Sequence, residues 1–494
     1  MTRDAVWGVF WAFLGTMAAK LSWLAALMFL TRRLDPAQFG LFAFGLVFIT
    51  YVETVGDLGT GAALIYTPRK AEAAAQGTFL INLGMGLVWF TLAQLAAPAV
   101  AGFFQNPAGE PVIRILSISF LIKALGNTHD ALCRKEMRFK ARLVPEVGLA
   151  VGKAVLAVVL AARGLGVWSL VWAQLLGVAV WSAALWLVVP WRPRWSLARG
   201  QMVPLLRFGK GIVAVNVLAA VVHHADLVVV GRMAGATALG LYQVASRVPE
   251  MTVTLAVWVL GHVLFPAFSR LHRSGADLGA GFLAAMRWIP LLTLPAAAGL
   301  FLVAEPLVVT FFGETWRPAA AILQALAVYT GIRSLGSHSG DVLKATGRPG
   351  LLAGLGVLKA LVLVPALILA GPLGAVAVAW TLAGVTVATV LLNLTVVSRL
   401  LELSWHRVAR KPIPAVVATG IMIAGVVALQ RGIPELHPAL ELGVAVITGI
   451  VLYVGVLLLV DRGVWTEAAA AIRGDEAGAG APEPSSSEGA RVAS

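Results

Sequence analysis

The sequence has little charge for its length and almost no cysteine. Only 13% of its 494 residues are Asp, Glu, Lys or Arg, whereas 59% are hydrophobic, and the mean hydropathy is +0.87. A water-soluble protein cannot hide that much apolar surface in one core, so the composition excludes a soluble globular domain. The single cysteine, Cys133, excludes an intrachain disulfide.

Motifs of the common enzyme classes are also missing. The chain contains no Walker A sequence, no His-Glu-x-x-His and no Cys-x-x-Cys. The adjacent His223 and His224 point about 100° apart on a helix, which disfavours a shared metal ion. One of them could carry a proton, and a packed or interfacial histidine is the alternative. We therefore expect no enzyme activity, no catalytic residues, no metal and no cofactor.

Long apolar runs fill most of the chain. A helix needs about 20 mostly apolar residues to cross a bilayer. On that criterion the sequence predicts an all-α polytopic membrane protein with about 14 transmembrane helices. The predicted spans lie roughly at 8–30, 39–66, 78–103, 111–132, 142–162, 165–189, 208–233, 239–265, 282–303, 317–338, 350–370, 373–398, 413–430 and 438–460.

The basic residues favour one orientation in the membrane. The net charge is +14, and with the N-terminus inside most of this charge falls in cytoplasmic loops, whereas few basic residues remain outside. One such loop contains Arg134, Lys135, Arg138, Lys140 and Arg142. The positive-inside rule therefore predicts a multi-pass protein of the cell inner (plasma) membrane with both termini cytoplasmic. Since the charges punctuate apolar segments and form no continuous basic face, we expect no nucleic-acid partner.

The chain contains a weak internal repeat. Phe39-Gly40-Leu41-Phe42 recurs 200 residues later as Leu239-Gly240-Leu241-Tyr242, and Arg32 and Arg232 share that offset. Parallel repeats of this kind are typical of transporters whose substrate site lies between the halves.

From the repeat we predict two pseudo-symmetric six-helix bundles plus two C-terminal helices. The expected parts are an N-terminal lobe at 1–190, a basic cytoplasmic linker at 191–207, a C-terminal lobe at 208–400, two additional transmembrane helices at 401–462, and a cytoplasmic tail at 463–494 that is disordered from about residue 474.

Ionisable residues recur inside the predicted spans. A charge at the bilayer centre costs roughly 2.5–3.5 kcal/mol on insertion scales, so such groups face partners or a hydrated cavity. We expect a substrate cavity lined by four basic residues that could bind a phosphate or diphosphate: Lys20, Lys123, Lys153 and Arg247. Four acidic residues are candidates to line the cavity or to carry H⁺ or Na⁺, so that an ion gradient would drive transport: Glu53, Asp57, Asp226 and Glu250.

Ion pairs that only hold helices together are the alternative interpretation of these charges. Arg247 and Glu250, at i and i+3, would form such a pair, and so would Glu53 with Lys20 across neighbouring helices.

Three stretches resemble bacterial oligosaccharide flippases: RRLDPAQFGLFAFGLVFITYVETVGDLGTGAALI (32–65), ALCRKEMRFKARLVPEVGLAVGKAVLAVVLAARGLGVWSLVWAQLL (131–176) and GDVLKATGRPGLL (340–352). These proteins form the polysaccharide transporter family of the multidrug/oligosaccharidyl-lipid/polysaccharide exporter superfamily, which includes lipopolysaccharide and exopolysaccharide biosynthesis proteins. The likeness covers roughly residues 1–400.

This resemblance implies a V-shaped pair of six-helix bundles. It also implies a flippase that moves undecaprenyl-diphosphate-linked oligosaccharide repeat units from the cytoplasmic to the outer leaflet by alternating access, for O-antigen, capsule or exopolysaccharide synthesis. The expected partners are the lipid-linked oligosaccharide, membrane lipids, and polysaccharide polymerase or export machinery.

Other functions fit the same features in part. A drug or cation antiporter of the same superfamily would have twelve spans, and a lipid-linked peptidoglycan precursor flippase would have fourteen spans and a basic cavity. A membrane-embedded glycan polymerase or ligase would have to form glycosidic bonds. A structural scaffold would not need so many ionisable groups within its spans.

Overall fold

The computed structural model describes residues 3–56, 58–66, 72–136, 138–194, 199–254, 257, 277–432 and 437–460. Helices make up nearly all of this part of the chain, and it contains no β-strand. The predicted all-α class is therefore confirmed. The predicted cytoplasmic tail at 463–494 lies outside the described residues.

The N-terminal half runs from the first helix to residue 188. Its helices are α1 (Arg3–Leu30), α2 (Pro36–Gly56), α3 (Thr60–Tyr66), α4 (Glu72–Phe103), α5 (Gly109–Leu116), α6 (Ile118–Lys135), α7 (Phe139–Ala162) and α8 (Val167–Val188). α7 packs between α1 and α8, and α6 packs against α4 and α8.

The C-terminal half begins at Arg199, several residues before the predicted end of the linker. Its helices are α9 (Arg199–Met233), α10 (Gly235–Pro249) with a π-helical continuation at Glu250–Thr254, α11 (Leu278–Leu302), α12 (Ala304–Phe312), α13 (Ala319–Gly336), α14 (Ser339–Ala345), α15 (Pro349–Ala370) and α16 (Ala375–Leu400). They are followed by α17 (Trp405–Arg410), α18 (Ile413–Gly432) and α19 (Pro438–Val460).

Eleven helical segments of the described residues are long and apolar enough to cross a membrane. These segments confirm a polytopic membrane protein. Three further predicted spans are not among these segments. They are the first, which the described side chains cover only as the shorter apolar stretch Met17–Leu30, the fourth, which divides into α5 and α6, and the eighth, of which residues 258–265 lie outside the described part. The total of fourteen stays a prediction.

A break divides the second predicted span. α2 ends at Gly56, and Leu58 and Gly59 adopt positive φ angles of 49° and 70° before α3 begins at Thr60. Gly59 takes this left-handed conformation without steric cost, so the chain can change direction here. Asp57, one of the predicted cavity acids, lies outside the described residues.

The two halves meet where α2 crosses α10, and the crossing is reciprocal. A Cβ atom on Gly40 would overlap the carbonyl oxygen of Ala236, and one on Gly240 would overlap the carbonyl oxygen of Pro36. Gly40 and Gly240 are 200 residues apart in the sequence, and so are Pro36 and Ala236, so each contact is the counterpart of the other in the opposite half. An exchange of this kind is what two-fold symmetry produces, so the crossing agrees with the predicted internal repeat.

The last two helices, α18 and α19, attach to α11 near a proline. Pro295 has no N–H, so it leaves the carbonyl of Leu291 without its helical partner. The hydroxyl of Tyr453 on α19 donates a hydrogen bond to this carbonyl oxygen at 2.7 Å. The appended pair therefore satisfies a backbone group that the helix itself cannot satisfy.

Candidate functional site

A cavity of about 840 Å³ lies between the two halves. Its walls come from α2, α4 and α6 on one side and from α9, α10 and α13 on the other. It extends toward the predicted cytoplasmic end of α6, where Arg134 lines it. The two halves thus line a shared space, as the repeat predicts.

The opposite end of the cavity is closed by packing. α2 and α10 cross there without space for a side chain at Gly40 and Gly240. Trp316, in the loop before α13, is fully buried with its ring 5.1 Å from that of Phe39. Its Nε1 donates a hydrogen bond to the carbonyl of Thr31 at 2.8 Å, which ties the two halves together at their outer ends. In this state the predicted extracytoplasmic end of the cavity is sealed.

Two ion pairs involve predicted site residues in the cavity wall. Lys123 Nζ lies 2.6 Å from Glu53 Oε2, and both side chains are about one-quarter exposed. Arg247 Nη1 lies 3.0 Å from Glu250 Oε2. The predicted pairing of Arg247 with Glu250 is confirmed, because both residues lie on neighbouring turns of one continuous helix. The predicted pairing of Glu53 with Lys20 is wrong, because Lys123 on α6 occupies that position.

Asp226 also lines the cavity, but its partners are neutral donors. The hydroxyl of Tyr242 donates to its Oδ2 at 2.7 Å, and the backbone N–H of Leu227 donates to its Oδ1 at 2.9 Å. No basic side chain forms an ion pair with Asp226 in the part of the chain that the structure describes. Asp226 is thus held by neutral donors, whereas Glu53 and Glu250 are each held by a cation.

Lys153 and Lys20 lie away from the central cavity. Lys153 is in a neighbouring pocket of about 260 Å³, where its Nζ is 4.4 Å from the ring centroid of Trp23 and 6.0 Å from that of Phe42. Lys20 is half-buried on α1 and lines neither space. Sequence position places both lysines within spans but cannot say which side of a helix faces the partner half. Of the eight predicted residues, Lys123, Arg247, Glu53, Asp226 and Glu250 share the cavity.

Arg333 is the main cavity residue that the sequence prediction did not select. It is half-buried on α13, with its guanidinium carbon 6.0 Å from the ring centroid of Tyr329. Arg134, which also lines the cavity, pairs with Asp130 at 2.7 Å. In the described residues Arg333 forms no such pair with a carboxylate, so its charge is the one left for a ligand.

Neutral polar residues in the wall were also missed. They include Asn82, Asn127, Asn216 and Gln243. An amide in lipid is costly unless it finds a partner or water, so asparagines within apolar runs were the available signal. Among the described residues, Glu53 and Trp89 line the cavity, and the buried atoms Glu53 Oε1 and Trp89 Nε1 have no hydrogen-bond partner.

The charges of the cavity wall nearly balance. Four basic and three acidic residues line it in the described part of the chain: Lys123, Arg134, Arg247 and Arg333, and Glu53, Asp226 and Glu250. No group of three His, Cys, Asp or Glu that could hold a metal occurs among the residues described. The wall therefore offers cations that can attract anionic groups and carboxylates that can attract cations.

Sequence comparison gives a family and several relatives. Residues 29–321 match the family described as "Polysaccharide biosynthesis protein". The chain is 27% identical over 389 residues to the lipopolysaccharide biosynthesis protein WzxC of Escherichia coli K12, covering 76% of this chain and 77% of that protein. It is 26% identical to the teichuronic acid biosynthesis protein TuaB of Bacillus subtilis 168, over 71% of this chain and 73% of TuaB. It is 25% identical to the succinoglycan biosynthesis transport protein ExoT of Rhizobium meliloti 1021, over 71% of this chain and 70% of ExoT.

Solved structures share the fold. The lipid II flippase MurJ in an inward closed conformation matches with a TM-score of 0.78 and 12% identity, covering 92% of this chain and 99% of MurJ. An inward-facing multidrug transporter of the MATE family within the MOP superfamily matches with a TM-score of 0.59 and 14% identity, over 79% of this chain and 94% of that chain. The names of these proteins describe transport and not enzyme catalysis, in agreement with the sequence prediction.

Proposed function

Since the chain belongs to the polysaccharide biosynthesis protein family, which is a family of polysaccharide transporters, we propose that it is a flippase for lipid-linked oligosaccharide repeat units. The proposed substrate is an undecaprenyl-diphosphate-linked saccharide that moves from the cytoplasmic to the outer leaflet of the inner membrane. The observation that carries the proposal is the cavity lined by charged residues between two halves that are sealed at one end. Alternating access requires such a sealed end together with a means of opening it.

The cavity chemistry supports an anionic head group with hydroxyls. Its volume of about 840 Å³ is within the range of small-molecule sites. That volume suits a diphosphate with its first sugars. The arginine that lacks a carboxylate partner, Arg333, would contact the phosphate first, since guanidinium groups bind phosphate oxygens in pairs. Amide side chains such as Asn127 and Gln243 supply donors and acceptors for sugar hydroxyls.

The two ion pairs supply a way to couple transport to an ion gradient. If Lys123 turns from Glu53 to a phosphate oxygen, Glu53 is left in the cavity without its cation. A carboxylate in a desolvated site is then neutralised by a proton or by Na⁺. Arg247 and Glu250 offer the same exchange from the other half, so substrate binding and ion uptake would occur together.

The sequence relatives favour a lipid-linked oligosaccharide over a peptidoglycan precursor or a drug as the substrate. The fold is shared with a lipid II flippase and with multidrug transporters, so the fold alone does not select a substrate. The relatives above 20% identity that cover most of this chain include proteins named for lipopolysaccharide, teichuronic acid and succinoglycan synthesis. A drug or cation antiporter would not need an arginine free for an anion.

Deletion of the gene tests the proposal. Lipid-linked repeat units should remain on the cytoplasmic leaflet in the deletion strain, and the wild-type gene should return them to the outer leaflet. Arg333→Gln should fail to do so. The matched control is Arg317→Gln, because Arg317 lies on the exposed outer loop in ion pairs with Glu305 and Glu314.

Normal delivery in the deletion strain would contradict the proposal. Rescue of cells depleted of their peptidoglycan precursor flippase would favour a peptidoglycan precursor flippase, and increased drug resistance on expression would favour a drug antiporter.

A further inference from the structure

An apolar groove of about 750 Å³ lies between the halves, outside the central cavity. α2 and α4 form one wall, and α9 and α15 form the other. A smaller apolar pocket of about 350 Å³ adjoins it and shares Tyr51, Phe103 and Val228 with it. We call the two together the outer groove. None of the residues predicted for the central cavity lines it.

The outer groove has the depth of one membrane leaflet. At its rim are Phe103 and Arg232, at the outer ends of α4 and α9. At its floor is Val221, twelve residues before the end of α9 at Met233. At 1.5 Å per residue this distance is about 18 Å, against about 15 Å for half of the hydrocarbon core. A chain of an outer-leaflet lipid would therefore run along the whole groove.

A ring contact between Tyr51 and His224 lies between the outer groove and the central cavity. Tyr51 lines the groove, and His224 lines the cavity. Their ring centroids are 6.1 Å apart in an edge-to-face arrangement. Since Tyr51 belongs to one half and His224 to the other, any separation of the halves here would join the two spaces. A lipid could then keep its chain in the groove while its head group is in the cavity.

Arg232 places a positive charge at the rim of the outer groove. It is half-buried, with its guanidinium carbon 5.5 Å from the ring centroid of Phe103. In the part of the chain that the structure describes, it forms no ion pair with a carboxylate. A guanidinium held over an aromatic ring at the depth of the head groups is suited to bind a lipid phosphate.

We propose that the outer groove binds a polyprenyl phosphate lipid, with the isoprenoid chain between α2/α4 and α9/α15 and the phosphate on Arg232. This proposal rests on the proposed function, because the lipid would be the carrier of the translocated saccharide. The groove then gives the carrier a place on the outer-leaflet side as its head group leaves the cavity.

A lipid titration of the purified full-length chain tests the groove. The probes are undecaprenyl phosphate and, in a separate arm, phosphatidylglycerol, with bound lipid counted by native mass spectrometry. Two variants change the groove: Arg232→Gln removes the charge, and Ile368→Trp fills the apolar part. Two matched controls lie outside it: Arg431→Gln at the outer end of α18, and Leu369→Trp on α15, where Leu369 is 78% exposed and Ile368 is 49% exposed.

The wild-type chain should bind undecaprenyl phosphate more tightly than phosphatidylglycerol. Arg232→Gln and Ile368→Trp should each weaken that binding by about tenfold or more, as expected for the loss of a charge-assisted hydrogen bond or of a buried chain. The controls should bind as the wild type does. Equal losses for both lipids would show a general anionic-lipid site and would overturn the proposal, as would unchanged binding in Ile368→Trp.

Flipping in vesicles separates this proposal from the proposed function. If the wild type flips lipid-linked saccharide and Ile368→Trp flips it at the same rate with unchanged binding, only the groove proposal fails. If the wild type does not flip it, the proposed function fails, and the titration still reports whether the groove binds polyprenyl phosphate.

Discussion

Alanine at either glycine of the α2–α10 crossing should open the outer end of the cavity. The crossing brings Gly40 against the carbonyl of Ala236 and Gly240 against the carbonyl of Pro36. A methyl group at either glycine has no room in this state. Because the obstacle is backbone and not the end of a flexible side chain, the helices themselves must move apart to admit it.

The magnitude follows from the cost of overpacking. Extra methyl groups in a tightly packed site cost about 1–3 kcal/mol. If the outer end is open in the alternate state, the methyl is accommodated there and the cost applies only to the sealed state. The equilibrium between the states should then shift by roughly 5- to 150-fold toward the outward-open form. By the reciprocity of the crossing, the Gly40→Ala and Gly240→Ala shifts should be similar.

Labelling of a cavity cysteine measures the shift. The natural cysteine, Cys133, is replaced by serine, and Thr50→Cys places a thiol in the cavity wall. A membrane-impermeant maleimide added from outside should label Thr50→Cys faster when Gly40→Ala is present. The double variant Gly40→Ala/Gly240→Ala should gain less than the sum of the two shifts, because the first methyl already separates the helices.

Gly84→Ala is the matched control for this experiment. A Cβ at Gly84 on α4 meets nothing within 4 Å, so the same substitution changes no helix crossing. Thermal unfolding of each variant confirms that the labelled protein is folded. Equal labelling of the Gly40→Ala and Gly84→Ala proteins would refute the assignment of the crossing as the outer seal.

Three other features of the molecule carry predictions. Arg333→Gln should lower the initial flipping rate in vesicles by about tenfold or more, since a hydrogen bond to a charged group contributes about 1.5–3 kcal/mol. An unchanged rate would mean that Arg333 does not contact the substrate. Glu53→Lys and Lys123→Glu should each lower the Tm, and the double swap should restore it, because the partly exposed pair contributes about 1 kcal/mol after solvent screening. A Tm that is not restored would mean that the pair is not held by charge. Tyr453→Phe should destabilise the protein by about 1–3 kcal/mol by leaving a buried carbonyl without a donor. In a Pro295→Ala background, which restores the backbone N–H, the same change should have little effect on thermal unfolding, and an equal effect in both backgrounds would contradict the pairing.

The sequence predicted the membrane class for a simple physical reason. Apolar runs of about 20 residues have few other folded forms, so composition alone indicates the spans. The repeat around Gly40 and Gly240 was recognised in the sequence but the helix crossing there was not predicted, although glycine is the residue that lets two backbones approach so closely. The structure places these two residues at that crossing.

The cavity residues were predicted less completely, because the position of a residue within a span does not show which way its side chain points. Lys123 and Lys153 are both lysines within spans, yet Lys123 on α6 lines the cavity, whereas Lys153 on α7 lies against the rings of Trp23 and Phe42. Only the packing of neighbouring helices distinguishes them. Trp316 lies outside the helices that form the cavity wall, and its part in the seal depends on a hydrogen bond to Thr31, 285 residues away. No local pattern records such a contact.

The near balance of charge in the cavity fits what the proposed function would require of a site for an anionic head group. A wall with four free cations would bind a diphosphate tightly and release it slowly, whereas transport needs a site that is favourable enough to enter and weak enough to leave. Pairing Lys123 with Glu53 and Arg247 with Glu250 lowers the free positive charge without removing it. Each carboxylate competes with the phosphate for its cation, so the same acids that could take up ions also help to expel the head group. Under the proposed function, Arg333 would supply the initial attraction, and the two pairs would set how long the head group stays.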